Sequence, residues 1–151
     1  MSYKNKKLQI SQIDEQLKGF KDAVNVPKKG WINTIRTSLS MTASQLAEKL
    51  NTSPQAILAL EKREEEGKIT LKKLKEMGAA MELKLVYGFV PEATLEKMIE
   101  KKAIKLATQI VMRTSRQMEL EDQKISDKKL KKAISDRAEE IIRNLPKSLW
   151  D

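Results

Sequence analysis

The sequence predicts a mainly α-helical protein with one short β-strand. Apolar residues recur at spacings of three and four over most of the 151 residues, which is the period of a helix face. Five Gly and four Pro leave few obligatory breaks between helices. Only residues 83–90 alternate as a strand does. We therefore expect helices before and after a single strand.

The composition excludes several kinds of chemistry. There is no Cys and no His, so disulfides, thiolate catalysis and zinc sites built on those ligands are ruled out. The sequence has neither a glycine-rich phosphate loop nor a spaced carboxylate loop. We therefore expect that the protein is not an enzyme and that it binds neither a metal nor a cofactor. The sequence has no run of about 18 apolar residues and no apolar region of a signal peptide. We therefore expect a cytoplasmic protein with no membrane partner.

The net charge of +9 favours polyanionic partners, because Lys and Arg neutralise phosphates and release counterions. The charge is spread unevenly. Residues 31–91 hold nine basic and seven acidic side chains, whereas residues 1–30 hold seven Lys and three acids. Composition therefore supports DNA binding without locating it.

Residues 1–30 are interpreted as a basic arm followed by an amphipathic helix. A narrow apolar stripe marks that helix; it consists of Ile10, Ile13, Leu17, Phe20 and Val24. The stripe can pack on the chain's own core or form a dimer contact. Pro27 and Gly30 end the segment. The arm residues Lys4, Lys6 and Lys7 either enter a minor groove or form a solubilising tail.

Residues 31–82 contain the highest density of residues that start or end helices. Thr42 can N-cap a short helix with Gln45 as the third residue of a capping box. Asn51 tolerates the left-handed conformation of a tight turn. Thr52 or Ser53 then caps a second helix, and a later helix begins after Thr70.

Residues 83–151 are predicted to hold the strand and two longer helices. The strand at 83–90 ends before Pro91 and needs a partner, which is either another part of the chain or the same strand of a second copy. The first helix carries a wide stripe beginning at Leu95; LEDQKISD interrupts it, and Ser126 or Asp127 caps the second. In this second helix, the residues expected to face inward are Leu130, Ala133, Ile134, Ala138, Ile141 and Ile142.

The segment MTASQLAEKLNTSPQAILALE, residues 41–61, is typical of a helix-turn-helix. In that motif the second helix lies in a major groove while the first crosses the phosphate backbone. Small or apolar residues are needed where the two helices touch. Those residues are Leu46, Ala47, Leu50, Ile57 and Leu60.

Over residues 31–82 the sequence resembles the phage-repressor-like helix-turn-helix regulators, also called the XRE family. The resemblance implies a five-helix-type repressor domain with N- and C-terminal helical extensions. It also implies two sets of DNA contacts. The base-reading set is Ser53, Pro54, Gln55, Leu58 and Ala59. The phosphate-contacting set is Thr42, Ala43, Ser44, Lys62 and Arg63.

Within the base-reading set, Gln55 is the best candidate for direct recognition, because its amide can pair in a bidentate way with adenine. Alternatively, Gln55 is an ordinary solvated residue in the first turn of the helix. Pro54 stands where such repressors often carry a hydrogen-bonding side chain, and Leu58 and Ala59 can contact only thymine methyls. Some specificity is then expected from DNA shape or from flanking arms.

A wider resemblance covers most of the chain. It is carried by GWINTIRTSLSMTASQLAEKL, EKREEEGKITLKKLKEMGAAMELKLVYGFVP, MELEDQ and the terminal SLWD, which are similar to the family called mobile mystery protein A. That family comprises repressor-type proteins of mobile elements whose genes neighbour one for a Fic-domain protein. The resemblance implies an antitoxin-like autoregulator with a Fic-domain toxin as its partner. The inhibitory signature of known Fic antitoxins is not met after Ser115 or Ser135.

Two functions are therefore predicted. The first is a homodimeric transcriptional repressor that binds a palindromic operator in double-stranded DNA. The alternative is a protein-binding antitoxin that neutralises a Fic-type toxin, with DNA binding secondary. Nearly two thirds of the chain lies outside residues 31–82, which favours a role for the extensions.

Overall fold

The computed structural model describes residues 2–22, 24–120 and 126–151. Across these residues the chain is mainly α-helical, as predicted. The helices are α1 Tyr3–Lys18, α2 Trp31–Ser38, α3 Ala43–Lys49, α4 Pro54–Glu65, α5 Leu71–Ala80, α6 Leu95–Leu120, α7 Asp127–Asn144 and a 3-10 helix at Lys147–Trp150. Within the described ranges, none of these helices has the length and apolarity needed to cross a membrane.

Contacts divide the chain into two units. The central unit is Asp22–Gly88 and contains α2 to α5. The terminal unit joins Met1–Lys21 to Phe89–Asp151 and contains α1, α6, α7 and the 3-10 helix. The predicted segments at the two ends of the chain thus share one unit.

The core of the central unit collects apolar side chains from all four of its helices and from the residue that follows α5. Its buried members are Ile32, Leu46, Ala47, Ile57, Met77 and Met81. Leu50 and Leu60 pack against this core and are partly buried. The five residues predicted to hold the helix-turn-helix together therefore all contribute to its packing.

The terminal unit has a separate core between α6 and α7. Its buried members are Ile99, Ala103, Ala107, Ala138, Ile141 and Leu149. Three of the six are Ala, which lets the two helix backbones approach closely. Ala133 does not take part: it was predicted to face inward but is exposed, because it lies on the outer side of α7.

Helix α1 belongs to this terminal core through Ile10, which packs against the buried cluster. Asp14 also links α1 to α6: its carboxylate accepts hydrogen bonds from the backbone N–H of Leu95 (2.7 Å) and Glu96 (3.2 Å). The prediction of a helical stripe continuing to Val24 is wrong. The helix ends at Lys18, before Gly19, and Val24 is exposed.

The beginning of α7 follows a local sequence signal. Ser126 caps the helix by accepting a hydrogen bond from the N–H of Lys129 (3.4 Å), so Asp127 lies inside it. Most of the predicted LEDQKISD interruption, residues 121–125, lies outside the described residues.

Beyond α7, Leu149 is buried, whereas Trp150 is half-exposed with the Lys102 amine 5.9 Å from its ring centre.

The strand predicted at residues 83–90 does not form in the single chain. Residues 83–90, all of them described, adopt no regular secondary structure. The alternation of apolar residues is real, but a strand also needs a neighbour that pairs with its N–H and C=O groups. No part of the described chain supplies that neighbour.

Candidate nucleic-acid interface

Local sequence sets the geometry of the turn between α3 and α4. The Thr42 hydroxyl accepts a hydrogen bond from the N–H of Gln45 (3.1 Å), and the Gln45 side chain accepts one from the N–H of Thr42 (2.8 Å). Asn51 has a φ of 51° in the turn. Ser53 then caps α4 by accepting from the N–H of Ala56 (3.2 Å). The capping box, the left-handed Asn and the second cap are all confirmed.

The inner faces of α3 and α4 are fixed by packing. Leu46, Ala47 and Ile57 are each no more than 1% exposed. Full burial of two branched side chains contributes several kcal/mol, at about 1.5–3 kcal/mol each. Helix α4 therefore has one orientation about its axis, and its opposite side faces solvent.

A buried ion pair also attaches α4 to α2. Arg36 donates to the Glu61 carboxylate through Nε and Nη2, and Asn33 donates to the same carboxylate at 3.0 Å. The Nη1 group of Arg36 donates to the carbonyl of Met41 at 2.9 Å. A single guanidinium thus joins α2, α4 and the segment that leads into α3.

The electrostatics of this pair favour the charged forms. Burial raises the pKa of Glu61, but hydrogen bonds from Arg36 and Asn33, together with attraction to Arg36, outweigh it, so the pKa lies below its usual value. The hydrogen bond to Glu61 raises the pKa of Arg36. Each partner therefore favours the charged form of the other.

One turn further along α4, Glu64 caps α2. Its carboxylate accepts hydrogen bonds from the N–H of Trp31 (2.8 Å) and Ile32 (2.9 Å). Gly30 makes room for this contact: its φ is 82°, and a Cβ there would lie 2.7 Å from the Glu64 carboxyl carbon. This position therefore requires glycine both for its backbone and for the approach of Glu64.

The positioning roles of four residues are not predicted from the sequence: Asn33, Arg36, Glu61 and Glu64. A signal was present, since Glu61 and Glu64 follow Ile57 and Leu60 at four-residue spacings and so share the inward stripe of α4. Charged residues on such a stripe indicate partners. The sequence does not say which residues those partners are.

The predicted base-reading residues lie together at the start and on the outer face of α4. Ser53, Gln55, Leu58 and Ala59 are exposed, with Leu58 at 52%, whereas Pro54 is half-buried. The Ser53 hydroxyl accepts the capping hydrogen bond and can still donate its O–H outward. Gln55 is the one amide side chain of α4, and it is exposed to a base edge.

The predicted phosphate-contacting residues also reach the surface, with one exception. Thr42, Ser44, Lys62 and Arg63 are exposed, but Ala43 packs against the central core. In the part of the chain that the structure describes, neither Lys62 nor Arg63 forms an ion pair. Their charges are therefore available to a phosphate.

The predicted arm is helical. Lys4, Lys6 and Lys7 lie in the first two turns of α1, in the terminal unit. An extended arm is therefore not formed by these residues, because they begin a helix that the terminal core holds through Ile10. Contact between these Lys residues and DNA stays a prediction.

Comparisons with known proteins identify no relative. No family model matches the chain, and neither a curated protein nor a solved structure does. The arrangement of α3 and α4 is therefore the feature from which a function can be inferred.

Proposed function

We propose that this protein is a sequence-specific DNA-binding transcriptional repressor without enzymatic activity. The observation that supports this is the two-sided character of α4. Its inner side is fixed by the buried Ile57 and by the Arg36–Glu61 pair, whereas its outer side presents Gln55, Leu58 and Ala59 to solvent. A rigid helix with an exposed outer face is what insertion into a major groove requires.

In this proposal α4 is the recognition helix. Gln55 pairs with the N6 and N7 positions of an adenine, and Leu58 contacts a thymine methyl group. Lys62 and Arg63 bind phosphates beside the groove and set the register of the helix. The protein binds as a homodimer, and its two copies occupy half-sites about one helical turn apart.

The test is operator binding by variants of the exposed face. The operator is first selected from a random DNA pool. The affinity of each variant for this operator is then measured by fluorescence anisotropy. We expect Gln55→Ala to weaken binding by about 5- to 150-fold and to relax specificity at one base pair, since a bidentate contact discriminates by about 1–3 kcal/mol. Gln9→Ala, which removes an exposed amide from α1, is the matched control and is expected to bind normally.

Lys62→Ala separates backbone contacts from base contacts. It is expected to weaken binding to all sequences alike and to reduce the salt slope by about one. If Gln55→Ala combined with Lys62→Ala leaves operator binding unchanged, α4 is not the recognition helix.

A second candidate function is direct neutralisation of a Fic-type toxin. The observation that favours it is the terminal unit, which builds its own core from α1, α6 and α7 and uses no residue of the helix-turn-helix. Co-expression with the product of the adjacent gene, followed by size-exclusion chromatography, tests this role. Separate elution of the two proteins at micromolar concentration would exclude it.

A further inference from the structure

Residues 83–89 form an apolar segment whose backbone is unpaired beyond its first N–H. The N–H of Leu83 donates to the carbonyl of Gly78 at 2.9 Å, which ties the start of the segment to α5. Within the described ranges, no backbone–backbone hydrogen bond involves residues 84–93. Apart from the Leu83 N–H, the backbone groups of the segment are therefore free to pair with another chain.

The side chains of the segment are also largely uncovered. Val86 is 69% exposed, Tyr87 67% and Phe89 80%. Lys84 carries the only charge between residues 83 and 89. A contiguous apolar stretch of this kind is typical of an interaction site, and an unpaired alternating segment is a ready template for another strand.

We propose that residues 83–89 of two copies pair as antiparallel strands across a twofold axis that passes through Val86. This inference rests on the proposed homodimer and names its interface. Two identical segments are complementary in this arrangement, because each supplies the N–H and C=O groups that the other lacks.

The ends of the segment limit the residues that can pair, and an axis at Val86 is compatible with its one charge. Glu82 has a φ of 62° and Pro91 lacks an N–H, so pairing is confined to the residues between them. With Val86 on the axis, Lys84 lies opposite the partner's Gly88, and the two Lys84 side chains stay apart. Leu83 and Leu85 then face the partner's Phe89 and the partner's Tyr87, which are favourable aliphatic–aromatic pairs.

The surface beside the segment supplies further contact area. A groove of about 270 Å³ on one side is lined in part by Trp31, Ile35 and Leu74. A second groove is lined in part by Leu71 and Ala79. A stable dimer needs about 800 Å² from each partner, more than a seven-residue strand provides. These grooves belong to the central unit, so the pairing would hold two recognition helices in a fixed relation.

Disulfide cross-linking provides a direct test, because the chain contains no Cys and an introduced thiol is unique. In the proposed register the two copies of residue 86 face each other with Cα atoms about 4.5–5.5 Å apart, a distance that a disulfide spans. Val86→Cys is therefore expected to form covalent dimers on mild oxidation.

Two variants control this experiment. Lys84→Cys places its two thiols about 14 Å apart along the strands, so it is expected to remain uncross-linked. Val26→Cys is matched to Val86→Cys in exposure, at 66%, but lies outside the segment and is also expected to remain monomeric on a non-reducing gel. Equal cross-linking of all three variants, or none at Val86→Cys while the wild type is dimeric, overturns the proposal.

Val86→Asp provides a second measurement. It sets two carboxylates opposite each other on the axis and is expected to convert the dimer to a monomer in sedimentation velocity, with an unchanged circular dichroism spectrum. Val26→Asp should remain dimeric. A dimeric Val86→Asp protein or a monomeric wild type overturns the interface. Cross-linked Val86→Cys dimers that bind no DNA would instead refute the proposed function and leave the interface standing.

Discussion

The helices of the central unit are short and are joined by polar contacts, whereas those of the terminal unit are long and pack through small apolar side chains. Helices α2 to α5 have 7 to 12 residues, a length at which an isolated helix is marginal in water. Each has a side-chain cap, supplied by Glu64, Thr42, Ser53 or Thr70.

The terminal unit also has side-chain caps, from Asp14 and Ser126, but its two longest helices are joined differently. Helices α6 and α7 have 26 and 18 residues and meet at Ala103, Ala107 and Ala138. Directional contacts fix one particular arrangement of short elements, while close apolar packing joins long ones over many turns. A site that needs a defined helix orientation is better served by the first solution.

The largest effect is expected from removing the buried Arg36–Glu61 ion pair of the central unit. Glu61→Ala leaves the Arg36 guanidinium buried without its partner, so we expect a loss of about 3–5 kcal/mol in the free energy of unfolding, measured by urea titration. Glu15→Ala removes an ion pair whose side chains are 64% and 75% exposed and serves as the control. A similar result for both variants would contradict the role of the buried pair.

An intermediate effect is expected from enlarging a small residue between the long helices. Ala138→Leu inserts three carbons where α6 and α7 touch, and overpacking of this kind destabilises by about 1–3 kcal/mol. Ala133→Leu makes the same change on the exposed side of α7 and should alter stability by less than about 0.5 kcal/mol. Thermal unfolding of the two variants checks the difference, and equal melting temperatures would show that the α6–α7 contact tolerates larger residues.

The smallest effect is a loss of folding stability at acidic pH. The pKa of Glu61 is lowered from its ordinary 4.5, so the folded state binds this proton less readily than the unfolded state does. The resulting stability is fully present above pH 4.5 and is lost as pH falls through the lowered pKa. The protection of the α2 and α4 amides against hydrogen exchange, after correction for the intrinsic rate at each pH, should therefore fall in this window. Glu61→Gln lacks the titrating group, and an equal loss of protection in that variant would contradict the assignment.

The parts of the fold that local residues determine were predictable from the sequence. Thr42, Asn51 and Ser53 act on backbone groups within a few positions of themselves, so their roles can be inferred from spacing. The exposure of Gln55 follows in the same way, because the apolar residues of α4 define its inner face.

The contacts that depend on distant residues were not predictable. Arg36 and Glu61 are 25 positions apart, and nothing in either local pattern names the other. The segment at 83–90 shows the opposite failure, because its alternation predicts a strand while strand formation depends on a partner, which the described part of the chain does not supply. Periodicity describes a preference of one element, and pairing is a property of two.

The contact between Asp14 and the start of α6 has a consequence for the order in which the protein folds. The carboxylate and the N–H of Leu95 are separated by 81 positions, and the whole central unit lies between them. At a synthesis rate of about 5–20 residues per second, α1 waits several seconds on the ribosome before its partner helix exists. Helices α2 to α5 have been synthesised by then, so the central unit has had time to fold before the terminal unit can assemble.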